Sequence, residues 1–140
     1  LIVFPELLSD ITEAATLAYA SSTLGNVDVD SVCHRLQVLM DEDKLFQNEN
    51  LNLSLLANEL DLSSHQLSEL INTRFGVGFS RYVRERRVAE AKRLLAEDPQ
   101  SSVLAIGLMT GFKSQSNFYA AFRDITGEAP GSYRRRLHNE

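Results

Sequence analysis

The stretch GFKSQSNFYAAFRDITGEAP, residues 111–130, carries the most informative pattern in the chain. A Gly-Phe pair is followed by small polar residues, then by aromatics at helical spacing, then by Gly127 and Pro130. At about 100° per residue, Phe122 and Ile125 fall within about 40° of Phe118. Ser116, Ala120 and Arg123 point the opposite way, and Asn117 and Tyr119 flank. The aromatics therefore anchor a helix to a core, and its leading polar end projects outward. Uncharged polar residues at a helix start are ordinary caps. They are also the residue types that read base edges when a helix end enters a major groove. Spacing alone leaves both readings open.

Working outward, residues 102–127 read as a helix-turn-helix. Ser102 is placed to cap a helix over VLAIGLMT, Gly111 turns the chain, and Gly127 ends the second helix. Pro130 opens a last short helix, PGSYRRRL. Upstream, residues 52–76 repeat the architecture with different residues. Ser54 is placed to cap a helix to Leu60, Asp61-Leu62-Ser63 form a tight turn, and a second helix runs from Ser64 to Phe75. On that helix Leu67, Leu70, Ile71 and Arg74 share one side, while His65, Glu69, Asn72 and Thr73 face outward with Ser68 at the margin. Between the units, residues 79–97 form one long helix that ends before Pro99. Further upstream, FPELLSDITEAATLAYASSTL and VDSVCHRLQVLMDEDKLF read as two more helices, broken at GNVDVD and followed by the polar loop QNENLN. The second carries Val32, Leu36, Leu39 and Met40 on one stripe. The expected architecture is all-α: two helix-turn-helix subdomains joined by a long linker helix, with an N-terminal helical connector over 1–48 and the compact domain over 49–140.

The 140 residues suit one domain or a domain with an appended segment, and the chain begins at Leu1, as a fragment would. One Cys excludes a disulfide framework and a Cys-based zinc site. Cys33 and His34 are helix neighbours that point in different directions, and read as surface or packing. No cofactor or metal is expected, and no arrangement of nucleophile, base and orienting group suggests an enzyme. No apolar run approaches the roughly 20 residues of a membrane span. The net charge of −5 conceals an asymmetry: residues 1–62 carry −9 and residues 63–140 carry +4. A basic C-terminal part and an acidic N-terminal part point to different tasks.

The residues Ile106, Gly111-Phe112, Ser114, Ser116, Phe118, Phe122-Arg123, Gly127, Pro130 and Tyr133-Arg134 resemble the signature of the AraC/XylS family of bacterial transcription regulators. Leu53, Ala57, Ser63, Leu67, Gly76, Tyr82, Arg87, Ala91 and Leu94-Leu95 extend the resemblance, which covers roughly residues 36–137. Gly107 departs from the usual Ala, Asp61 from a frequent Gly, and Glu69 and Ala120 from longer base-contacting side chains. The resemblance implies binding of double-stranded DNA, a recognition helix in each unit, and contact with RNA polymerase or other transcription machinery. It implies base contacts from Ser64, His65, Ser68, Glu69 and Asn72 in the first unit. In the second, Ser114, Gln115, Ser116, Asn117 and Tyr119 take that role. Arg81, Arg84, Lys113, Arg123 and Arg134 are the phosphate candidates. YASSTL and LMDEDKLFQNENLNL are similar to the segment before the DNA-binding domain in members with an N-terminal membrane region. That likeness implies a cytoplasmic fragment of a protein anchored in the inner membrane. The acidic N-terminal segment repels DNA and, with the region upstream, is placed for self-association. The rival class is a helical protein-interaction module, which a salt titration separates from a phosphate binder.

Overall fold

The computed structural model describes residues 22–139. Among them are seven α-helices and no strand: α1 (Val29–Gln37), α2 (Leu53–Glu59), α3 (Ser64–Phe75), α4 (Phe79–Glu97), α5 (Val103–Met109), α6 (Gln115–Thr126) and α7 (Pro130–His138). The expected all-α architecture holds, with two helix-turn-helix units joined by the long helix α4. Most of the helix expected from Pro5 onward lies outside the described residues, and Ser22, Thr23 and Leu24 are not helical. The helix expected to run through Phe46 stops sooner. After α1 the chain widens into a π turn at Val38–Glu42 and then a 3₁₀ turn at Leu45–Gln47. Lys44, at φ 50°, ends the helix in a left-handed conformation that no apolar periodicity announces.

Local chemistry accounts for the helix starts. Asn52, not Ser54, caps α2: its side chain accepts from Leu55 N at 2.8 Å. Ser54 instead lies inside the first turn. Ser63 and Gln66 form a capping box at α3: Gln66 N donates to Ser63 Oγ at 3.1 Å and Ser63 N donates to Gln66 Oε1 at 2.9 Å. Ser102 accepts from Ala105 N and caps α5, as its position before an apolar helix indicates. Asp61 makes the first turn at φ 55°, within reach of a short polar residue.

Two cores result. Leu56, Ala57, Leu60, Leu67, Leu70 and Ile71 form the first with Val32, Leu36, Met40 and Phe46. The helix and turns over residues 29–47, expected as part of a connector, therefore pack into the first unit. The second core gathers Ile106, Phe112, Phe118, Ala121 and Phe122. Helix α4 serves both. Tyr82 and Val83 enter the first core, while Val88, Ala91 and Leu95 enter the second. At about 100° per residue these two sets lie roughly 160° apart around the helix, so the units pack on opposite sides of one rod.

The seam between the units is specific. Arg87 Nε donates to the Phe46 carbonyl at 2.7 Å and Nη2 to the Asn48 carbonyl at 3.0 Å, while its guanidinium lies 5.8 Å from the Phe112 ring. Burial pushes the Arg87 pKa down. Gly111, at φ 109°, turns the second unit directly against this clamp. A Cβ there would overlap the Phe46 carbonyl oxygen and stand 2.7 Å from Arg87 Nε. Glycine is required both for the angle and for the close approach. Lys44 pairs with Glu90 at 3.0 Å, and Arg86 with Asp41 at 2.8 Å. These pairs tie α4 to the turns that follow α1.

Candidate functional site

Helices α3 and α6 each bury one side and present the other. On α3, Leu67, Leu70 and Ile71 are buried, His65 and Asn72 are exposed, and Ser64, Ser68 and Glu69 are half-buried. Asn72 Nδ2 donates to the Ser68 carbonyl at 2.9 Å, so one of its two amide hydrogens is engaged by its own helix. On α6, Phe118, Ala121 and Phe122 are buried, while Gln115, Ser116, Asn117, Ala120 and Arg123 are exposed. Tyr119 is half-buried with its ring edge-on to Phe118, at 5.8 Å and 70°. The outward and inward residues of α6 are those its spacing indicates.

Ser114 is the N-cap of α6, accepting from Asn117 N at 3.1 Å. Its hydroxyl hydrogen remains available, so capping and base reading are compatible at this residue. The surface of α6 formed by Gln115, Ser116, Tyr119, Ala120 and Arg123 is a shallow concavity. Among the described residues, the side chains of Gln115, Ser116 and Arg123 make no hydrogen bond or ion pair within the chain. The corresponding face of α3 is occupied. Glu69 accepts from Ser22 Oγ at 2.9 Å and from Thr23 N at 3.2 Å.

The five phosphate candidates separate into two groups. Arg134 is a structural clamp: Nη1 donates to the Ser101 carbonyl at 2.8 Å, Nη2 to the Asp98 carbonyl at 2.9 Å, and Nε to the Leu95 carbonyl at 3.4 Å. It satisfies carbonyls at the end of α4, where the helix leaves them without partners, so its guanidinium is engaged within the chain. Arg81 is held between Glu85 at 2.9 Å and Asp124 at 2.7 Å, and its pKa is raised, chiefly by the hydrogen bond to Glu85. Two carboxylates thus offset its charge. Arg84 and Lys113 line a cleft between the units together with Ser80, Arg87 and Asn117. Arg84 Nε is buried there and has no hydrogen-bond partner among the described residues. Arg123 stands exposed on α6.

Sequence reasoning missed Gln66 and Arg87 as site-shaping residues. Gln66 was legible, because a Ser followed three positions later by Gln is a capping-box signature. Arg87 was not, because its carbonyl partners lie 41 and 39 residues away along the chain.

Comparison with known proteins agrees with this geometry. A helix-turn-helix domain family matches residues 56–136. The probable transcription factor PqrA of Proteus vulgaris is 33% identical over 93 residues, covering 66% of this chain and 75% of that protein. The thermoregulatory protein LcrF of Yersinia pestis is 30% identical over 139 residues, covering 94% of this chain and 50% of LcrF. The chain thus spans about half the length of that relative. A solved transcriptional regulator with an AraC-type DNA-binding domain, from Chromobacterium violaceum, superimposes with a TM-score of 0.60 at 28% identity, covering 68% of this chain and 87% of that one. Family match, relatives and paired helix-turn-helix units all point the same way: the chain belongs to the AraC/XylS family of helix-turn-helix DNA-binding transcription regulators.

Proposed function

We propose that the chain, through residues 49–140, reads double-stranded DNA by placing α3 and α6 in successive major grooves on one face of the duplex. The carrying observation is the rigid join between two outward helix faces. Helix α4 is 19 residues long without an internal Gly or Pro, about 28 Å of rod at about 1.5 Å per residue. Arg87 and Gly111 lock the second unit against the first. With the widths of the flanking turns, this reach approaches one duplex repeat, about 34 Å.

In this reading Gln115, Ser116, Asn117 and Tyr119, with the Ser114 hydroxyl, meet base edges from α6. Ser64, His65, Ser68, Glu69 and Asn72 do so from α3. Lys113, Arg84 and Arg123 meet phosphates and set register. Arg81 contributes less, because its charge is already offset. In the same reading the chain meets RNA polymerase or other transcription machinery, self-associates through its N-terminal segment or the region upstream, and acts in the bacterial cytoplasm; a membrane-anchored parent rests on the likeness of YASSTL and LMDEDKLFQNENLNL alone.

The test is a mobility-shift titration on a duplex selected by the chain, with and without about five base pairs inserted between the two subsites. The insertion turns one subsite to the far side of the duplex. Because the rod cannot follow, affinity should fall toward that for random sequence. Equal affinity for both duplexes would show that only one unit reads DNA or that the join is flexible.

A further inference from the structure

The first recognition helix is covered by the chain's own N-terminal segment. Ser22 Oγ donates to Glu69 Oε2 at 2.9 Å, Thr23 N to Glu69 Oε1 at 3.2 Å, and Thr23 Oγ1 to Glu69 Oε2 at 3.4 Å. In return Gln66 Nε2 donates to the Thr23 carbonyl at 3.1 Å. Both oxygens of the Glu69 carboxylate are therefore engaged, and the backbone of Thr23 is bonded through both its N–H and its carbonyl. The placement is anchored from behind. Leu24 and Val27 pack on the first core, and Val27 N donates to the Leu24 carbonyl at 3.0 Å to close a turn. Asp28 then caps α1 by accepting from Ser31 N.

Glu69 lies near the centre of the outward face of α3, opposite Leu67, Leu70 and Ile71. A free carboxylate at that position can accept a hydrogen bond from the amino group of cytosine. While Ser22 and Thr23 hold it, the space a base edge must enter contains protein backbone.

We propose that Ser22 and Thr23 form an intramolecular latch on Glu69 and Gln66 that competes with DNA for the first recognition helix. This inference rests on the DNA-binding reading above. The closed form reads DNA through α6 alone, and the open form through both helices. Apparent affinity is the intrinsic affinity scaled by the fraction of molecules in the open form. Any event that displaces Ser22 and Thr23 therefore raises DNA affinity without touching a DNA-contacting residue.

The test uses the full 140-residue chain carrying S22A and T23A together, two surface substitutions that leave α3 and the cores unaltered. Its affinity for a fluorescent duplex, selected from a randomised pool by the unaltered chain, is measured by anisotropy. Loss of the two hydroxyl bonds to Glu69, and of the bond that Leu24 N donates to Ser22 Oγ at 3.2 Å, should tighten binding about three- to tenfold. In a second measurement, amide exchange of Thr23 is followed by NMR in the unaltered chain. It should be protected in the free protein and faster with saturating duplex. Unchanged affinity in the double variant, or protection of Thr23 that persists on DNA, overturns the latch while leaving DNA binding in place. Failure of both chains to bind any duplex overturns the DNA reading itself, and the latch with it.

Discussion

The first and second helix-turn-helix units differ in what fills them and in what covers them. The first is built from aliphatic side chains, chiefly Leu36, Leu56, Leu60, Leu67, Leu70 and Ile71, and draws on α1 for part of its core. The second is built around rings. Phe118 meets Phe112 at 5.2 Å and Phe122 at 5.8 Å, and Phe122 meets Tyr133 at 5.5 Å. Aliphatic cores adjust to small volume changes by rotamer exchange, whereas a nest of rings has fewer ways to close a gap or yield space. The outward faces differ as well: α3 carries the latched Glu69, while α6 presents Gln115, Ser116 and Arg123 without intramolecular partners among the described residues. The unit with the composite core is the one its own chain restrains, and the unit with the aromatic core is open to a ligand.

The largest expected effect tests the aromatic core. Phe118→Ala should destabilise the protein by about 3–5 kcal/mol, read from urea unfolding followed by circular dichroism. Gly107 sharpens the same point. A Cβ at Gly107 would overlap the buried Phe118 ring. Gly107→Ala should therefore cost about 1–2 kcal/mol even though Ala is the better helix former, because overpacking exceeds the propensity gain. In a Phe118→Leu background that penalty should shrink, and a double-mutant cycle showing independent effects would contradict the ring-against-glycine account.

Arg134 comes next. Arg134→Ala removes a charged donor from three carbonyls and should cost about 1.5–3 kcal/mol of stability. DNA affinity per folded molecule should stay the same. A variant of unchanged stability but weakened DNA binding would restore Arg134 to the phosphate contacts.

The open face of α6 is probed by a pair of substitutions. Gln115→Ala should relax preference at one or two base pairs, worth roughly 1–3 kcal/mol. Arg123 lies two turns further along α6 and should meet phosphate. Arg123→Ala should weaken binding to all duplexes alike and reduce the salt slope by about one unit. Exchanged outcomes would mean that α6 enters the groove from its other end.

The smallest effect concerns the seam. The Glu90 pKa is lowered, first by its hydrogen bond from Arg93 and then by that from Lys44, against the opposing effect of burial. A carboxyl held below its unfolded value stabilises the fold above that value and loses this contribution as pH falls through the folded one. Glu90→Gln should therefore be less stable than the unaltered chain at pH 7 by roughly 0.2–1 kcal/mol. The gap should close as pH drops below about 4.3. A gap that is constant from pH 7 to pH 3 would mean that Glu90 acts by packing alone.

Much of this was legible in particular residues. Phe118, Phe122 and Ile125 at helical spacing placed the inward side of α6, and Gly111, Gly127 and Pro130 marked its boundaries. Ser63, Ser102 and Asp61 marked the turns and caps of both units. Asn52 and Ser54 are both good caps for α2, and only the backbone conformation selects between them: Asn52 is extended and Ser54 is already helical. The contacts of Arg134 within the chain are not legible in the sequence. Its carbonyl partners at Leu95, Asp98 and Ser101 are 39, 36 and 33 residues away.

The helices, their inward sides, the repeat of two helix-turn-helix units and the concentration of positive charge in the second half can all be read along the chain. All of these rest on short-range rules: periodicity, capping and turn chemistry act within a few residues. Which outward side chains are available depends on packing between distant segments. That Arg87 and Gly111 lock the units together, that Arg134 holds the end of α4, and that Ser22 and Thr23 cover Glu69 are contacts between residues more than twenty positions apart. Such pairings depend on how buried surfaces bring distant segments together, and two helices with equally polar faces become one covered and one open only after the cores have packed.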